Sequence, residues 1–159
     1  MIRAATNSDV PVIVSLVREL AAYEREPEAV VATEDDARSA LFGPSPVAHA
    51  LVAQDDGEVV GFALWFVSFS TWLGRPGIYL EDLFVRPSTR GRGHGRALLA
   101  ELARIAVERG YGRVEWSVLD WNRPAQEFYR RLGAVPMDEW TTWRLTGEAM
   151  RSVAETGSI

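Results

Sequence analysis

Apolar residues along the chain fall into blocks of two periods. Val10, Ile13, Val14, Val17, Leu20 and Ala21 recur at intervals of three and four behind Asn7 and Ser8, which predicts a helix from about Ser8 to Tyr23. Thr33 followed three residues later by Asp36 has the form of a capping box, so a second short helix should run to Leu41 and stop at Gly43-Pro44. Between them, "YEREPEAV" is acidic, broken by Pro27, and reads as a loop. "IRAAT" at Ile2 to Thr6 predicts a short first strand. Val47 to Ala53 and Glu58 to Phe69 are rich in β-branched and aromatic residues, and "DDG" at Asp55 to Gly57 joins them as a hairpin. "WLGRPG" at Trp72 to Gly77 is a further turn, and "IYLEDLFV" at Ile78 to Val85 a strand stopped by Arg86-Pro87. The helical period returns from Arg96 to Arg109, closed by Gly110. A strand over Arg113 to Leu119, a helix over Arg123 to Leu132, a strand over Thr141 to Leu145 and a terminal helix over Gly147 to Ala154 complete the pattern. The predicted order is β α α β β β α β α β with a terminal helix, in one α/β domain spanning residues 1–159.

Composition narrows the chemistry more than the fold. The chain has no cysteine and two histidines, His49 and His94, in separate segments, so thiol nucleophiles and Cys- or His-based metal sites are not expected. All 17 basic residues are arginine, which removes lysine Schiff bases and a Walker lysine. No leader-like segment and no run of the roughly 20 apolar residues needed to span a membrane occurs, so a soluble cytoplasmic protein with no membrane partner is expected. The net charge of −5 argues against nucleic-acid binding. Its distribution is uneven. Glu19 to Asp36 holds seven acidic residues against Arg25 alone, whereas Arg90 to Arg131 holds nine arginines against five acids. One region could attract a cation and the other an anion; the plainer alternative is that these charges line solvated helix faces.

The anion region has a motif. "RGRGHGRALL" from Arg90 to Leu99 places glycines between a strand and a helix N-terminus, where unpartnered backbone N–H groups bind anions. Glycine there accepts positive φ and lets a diphosphate approach the backbone. A dinucleotide fingerprint fails on Arg96 and Leu98, and a P-loop fails for want of lysine. What remains is R-x-x-G-x-G at Arg90, Gly93 and Gly95. Upstream, Glu81 and Asp82 interrupt an apolar strand. Consecutive strand residues face opposite ways, so one of the pair should meet a cleft or the core, where a carboxylate is costly unless paired with an arginine or functional.

At these residues the chain resembles the GCN5-related N-acetyltransferases (GNAT). "IYLEDLFVRPSTRGRGHG", "VLDWNRPAQEFYRRLGA" and a late "WRL" resemble the spermidine/spermine (diamine) and thialysine acetyltransferase branch, and "LAAYE" and "FGPSPVAHALVA" extend the likeness over most of the chain. "FSTWLGR", with Ser70 and Thr71 before Trp72, is more similar to the thialysine type. The resemblance implies a mixed, mostly antiparallel sheet flanked by helices and splayed at the cofactor strand. It implies acetyl-CoA as cofactor, a small amine as acceptor, and a homodimer. A protein or peptide acceptor, or a module that binds acetyl-CoA without turnover, is the alternative.

The resemblance also assigns roles. The backbone of Leu83, Phe84 and Val85 would bind the pantetheine arm and polarise the thioester carbonyl; Arg90, Gly91, Arg92, Gly93, His94, Gly95 and Arg96 would hold the diphosphate. Asn122 would contact the cofactor, or cap the next helix, or both. Glu81 would serve as general base, directly or through water. A base is needed because an alkylamine with pKa of about 10.4 is neutral in only about one molecule per thousand at pH 7. Tyr129 would serve as acid to the departing thiolate and touch the cofactor; its alternative is a core-edge aromatic sharing a helix face with Ala125 and Leu132. Tyr23, Glu24, Glu26 and Glu28, with Trp72, Glu81 and Asp82, are the candidates to meet a cationic acceptor. His94 is expected to be exposed at the helix start. Trp65, Trp116 and Trp143 are expected in the core, and Trp121 near the mouth of a cleft.

Overall fold

The computed structural model describes residues 1–157. Their contacts divide into two units, Met1–Leu119 and the remainder from Asp120.

In the first unit the strands are β1 (Ile2–Ala4), β2 (His49–Asp55), β3 (Glu58–Ser70), β4 (Arg75–Val85) and β5 (Val114–Glu115), with helices α1 (Val10–Tyr23), α2 (Glu34–Phe42) and α3 (His94–Glu108). The sheet order is β1-β2-β3-β4-β5. The first three pairings are antiparallel and β4–β5 is parallel. Side-chain alternation divides the core. Ala50, Val52, Phe62 and Phe84 pack with Ile13 and Leu16 of α1 and Leu41 of α2 on one face. The alternate residues Leu51, Ala53, Ala63 and Leu80 are buried on the other face, which α3 covers with Leu98, Leu99, Leu102 and Ala106. The predicted capping box forms: Thr33 Oγ1 accepts from the Asp36 amide at 3.1 Å, and the Asp36 carboxylate accepts from the Thr33 amide at 2.9 Å.

Two irregularities place the site. Leu64 pairs with Asp82 and Trp65 with Leu80, so Glu81 has no partner on β3: it is the extra residue of a bulge. The second is a splay. β5 pairs only Val114 with Ile78 and Glu115 with Tyr79, and among the described residues no strand lies along β4 beyond that point. The strand expected over Arg113 to Leu119 is thus two residues long; past it, contact across the gap is a Tyr79 Oη–Ser117 Oγ hydrogen bond of 2.9 Å.

The second unit holds α4 (Arg123–Arg131) and α5 (Gly147–Glu155). The strand expected over Thr141 to Leu145 does not form: those residues are irregular, and Trp143, expected in the core, is 91% exposed. A strand exists only as a partner in a ladder, and among the described residues this stretch has none. Of the other two tryptophans expected in the core, Trp65 is buried and Trp116 half-buried.

Candidate active site

The bulge decides what the two carboxylates do. Because Asp82 pairs with Leu64, it shares the face that α1 covers, while Glu81 is exposed at the irregularity. Burial pushes the Asp82 carboxyl up to about 6, and the charges of Glu81 and Glu24 push the same way. The carboxyl of Glu24, the C-cap of α1, is itself raised by burial. Three acids are therefore gathered from α1 and β4, and the charges acting on Asp82 are negative. Of the other acceptor candidates, Tyr23 is the last residue of α1, whereas Glu26 and Glu28 are exposed in the turn that follows. Trp72 is 87% exposed at the β3–β4 tip. It precedes Arg75, and Arg75 to Glu81 is about 20 Å of extended strand, so Trp72 is not brought to the acidic cluster.

The open edge of β4 from Leu80 to Val85 leads into the glycine turn. Phe84 and Val85 are buried and Leu83 is half-buried, so what this edge can present to a ligand is chiefly backbone. Gly91 (φ +80°) and Gly93 (φ +83°) take the left-handed conformation that glycine tolerates. A Cβ on either would meet nothing within 4 Å, so the backbone there faces open space. The helix starts at His94, two residues before the predicted start, with Gly93 as its N-cap and Gly95 in its first turn. The Ala97 amide closes the first helical bond on the Gly93 carbonyl at 2.9 Å, so the amides before it are the ones available to an anion.

Arg90, Arg92 and His94 each lie against other parts of the protein. Arg90 Nε donates to the Val85 carbonyl at 3.0 Å, and its guanidinium lies 4.9 Å from the Tyr23 ring centroid and 5.7 Å from that of Phe84. Arg92 Nη1 donates to Asp55 Oδ2 at 2.6 Å. His94, expected to be exposed, has a side chain only 12% exposed, with Nε2 at 3.4 Å from the same carboxylate. Arg96 is exposed in the first turn of α3. Arg86 makes a two-nitrogen ion pair with Glu19 of α1. Asp55 and Glu19 were invisible to sequence reasoning, since their partners lie on elements distant in the chain. In the second unit Asn122 Oδ1 accepts from the Ala125 amide at 3.4 Å, a weak cap of α4, and Tyr129 is half-buried on that helix.

A five-stranded mixed sheet splayed beside a glycine turn and helix N-terminus is the fold that the acetyltransferase resemblance implies, and comparison with known proteins supports that class. Residues 13–134 match the acetyltransferase (GNAT) family, and the chain belongs to it; it is an N-acetyltransferase. The chain is 41% identical to thialysine N-epsilon-acetyltransferase of Bos taurus, covering 97% of this chain and 96% of the relative. It is 34% identical to L-ornithine N5-acetyltransferase of Arabidopsis thaliana, covering 96% of this chain and 86% of that one. Among solved structures, an integron cassette protein from the mobile metagenome of V. cholerae superposes with a TM-score of 0.81 at 28% identity, covering 98% of both chains. Family members of this kind generally use acetyl-CoA.

Proposed function

We propose that the protein transfers the acetyl group of acetyl-CoA to a primary amine of a small acceptor that carries a second positive charge. The observation that carries this reading is the half-buried Asp82, raised to about 6 and surrounded by Glu81 and Glu24. A buried carboxylate among like charges is costly unless a cation arrives to offset it. Thialysine and L-ornithine, the acceptors for which the two relatives are named, each carry two amino groups.

The residues present fit the donor. Bound acetyl-CoA supplies a thioester acetyl group to be passed to the amine. The open β4 edge from Leu83 to Val85 offers backbone N–H and C=O groups, apart from the Val85 carbonyl that Arg90 Nε holds, to its extended arm and to the thioester carbonyl, where fixed donors are worth about a hundredfold or more in rate. The amides from Gly91 to Arg96 offer a site for the diphosphate, while Arg90, Arg92 and His94 hold the turn from the protein side. The Glu81 carboxylate, solvent-exposed at the bulge, takes the acceptor's ammonium proton directly or through one water, giving the neutral nitrogen that attack requires. Asp82 and Glu24 hold the second charge. The Tyr129 hydroxyl serves as the proton donor to the leaving sulfur and Asn122 as a cofactor contact, both on the strength of the resemblance. Family similarity running from 13 to 134 crosses the boundary between the two units and supports a single acetyltransferase domain. A cytoplasmic homodimer belongs to the same reading. Among the described residues no helix is long and apolar enough to cross a membrane.

The test is a CoA-thiol release screen with mass detection of product, across thialysine, lysine, ornithine, polyamines, an aminoglycoside and a peptide. Acceptor-dependent release with the diamino acids or polyamines is expected. Release with the peptide alone would move the assignment to protein acetylation, and CoA binding without release to any acceptor would make the domain a sensor.

A further inference from the structure

The β2–β3 hairpin lies outside the acceptor cluster and the cofactor strand, yet one of its carboxylates reaches the glycine turn. Asp55 closes β2, in register with Glu58, immediately before Asp56 (φ +49°) and Gly57 (φ +84°). Asp55 Oδ2 accepts from Arg92 Nη1 at 2.6 Å, and His94 Nε2, a buried atom without a hydrogen-bond partner among the described residues, lies 3.4 Å from the same oxygen. The Asp55 carboxyl is held below its usual value by Arg92 first, and by His94. Arg92 and His94 alternate with the two positive-φ glycines, Gly91 and Gly93. The most permissive backbone in the proposed anion site is therefore anchored through Arg92, beside Gly93, to a single carboxylate at the end of β2, with the His94 ring lying against the same carboxylate.

We propose that Asp55 is a positioning residue for the diphosphate turn. By holding Arg92 on the hairpin side, with His94 beside it, it fixes the amides from Gly91 to Arg96 in the orientation from which they bind the donor. This inference rests on the acetyl-CoA reading of the turn. The physical argument is one of preorganisation. Glycine loses more conformational freedom on ordering than any other residue, so a glycine turn left unanchored would have to be ordered by the ligand, at the expense of affinity. The opposing effect has the opposite sign: a carboxylate that merely stood near an anion would repel it, and its removal would tighten binding.

The experiment compares wild type, Asp55→Asn and Asp55→Glu by calorimetry with CoA and by steady-state kinetics. Asp55→Asn, almost isosteric, is expected to raise both the CoA Kd and the acetyl-CoA KM by about five- to twentyfold, the scale of a lost preorganising contact, with kcat and acceptor KM within about twofold. Asp55→Glu, which can still reach Arg92, should recover most of that loss. CoA binding that is unchanged or tighter in Asp55→Asn overturns the inference. So does a fall in kcat and a rise in both KM values together with a lower melting temperature, because that marks a purely structural pair. Wild type that binds no CoA would overturn the cofactor reading and the inference with it; wild type and variant binding equally well would overturn the inference alone.

Discussion

Two carboxylates of the first unit, the buried Asp9 and the half-buried Asp82, are handled in opposite ways. Asp9, 6% exposed at the start of α1, accepts from Arg3 Nη1 at 2.7 Å and Nη2 at 2.9 Å and from the Thr6 amide at 2.7 Å. The Arg3 hydrogen bond is the largest cause of a carboxyl lowered to about 2. Asp82 is acted on by burial, Glu81 and Glu24, and its carboxyl rises to about 6. The consequences for stability follow from which state binds more protons. Asp9 is ionised more readily in the folded chain, so it stabilises the fold above about pH 4, and that contribution fades as pH falls through about 2. Asp82 holds its proton more tightly when folded, so its ionisation costs stability as pH rises from about 4 through 6. Each shift is worth about 2 to 3 kcal/mol at neutral pH, with opposite sign. Asp9 is part of the scaffold. Asp82 is a standing cost, and such costs gather where a ligand is to supply the missing charge.

The variant expected to have the largest effect removes the proposed base beside Asp82. Glu81→Gln should lower kcat by about 10² to 10⁴, the range of general-base contributions, with CoA affinity retained by calorimetry. Loss of CoA binding instead would make Glu81 part of the strand's architecture. Asp82→Asn comes next. Urea unfolding should show it more stable than wild type by about 1 to 3 kcal/mol at pH 8 and equal to it near pH 4, while the acceptor KM rises and the acetyl-CoA KM holds. Equal stability at pH 8 would show that the carboxylate is already compensated. Asp9→Asn should do the reverse: a loss of about 2 kcal/mol at pH 7 that shrinks toward pH 2, with both KM values unchanged. A shift in acceptor KM there would erase the distinction between scaffold and site.

Much of the fold around Asp82 was legible in the sequence, whereas the Arg3–Asp9 pair was not, and the limits are physical. The glycine turn, the "DDG" hairpin, the capping box at Thr33 and the interruption of an apolar strand by Glu81 and Asp82 all follow from local preferences, and each is found at its expected place. Which carboxylate turns toward α1 could not be read, because it depends on the bulge, and a bulge is a property of β4 paired with β3 rather than of β4 alone. The contacts of Arg90 and Arg92 with Tyr23, Val85 and Asp55 could not be read either, because those partners are selected by tertiary folding. Thr141 to Leu145 has strand-like composition but no ladder to join among the described residues, so local propensity misled there.

The most direct test of the account is the pH dependence of acceptor KM, measured for a diamino acceptor and for a monoamine of equal length, in wild type and in Asp82→Asn. Ionisation of Asp82 should create the site for the second charge, so in wild type the preference for the diamine should rise as pH increases through about 6 and then level off. Asp82→Asn should show no such rise. A preference that is flat across this range in wild type, or that persists unchanged in Asp82→Asn, would contradict the claim that the acidic cluster of Asp82, Glu81 and Glu24 is what receives the acceptor.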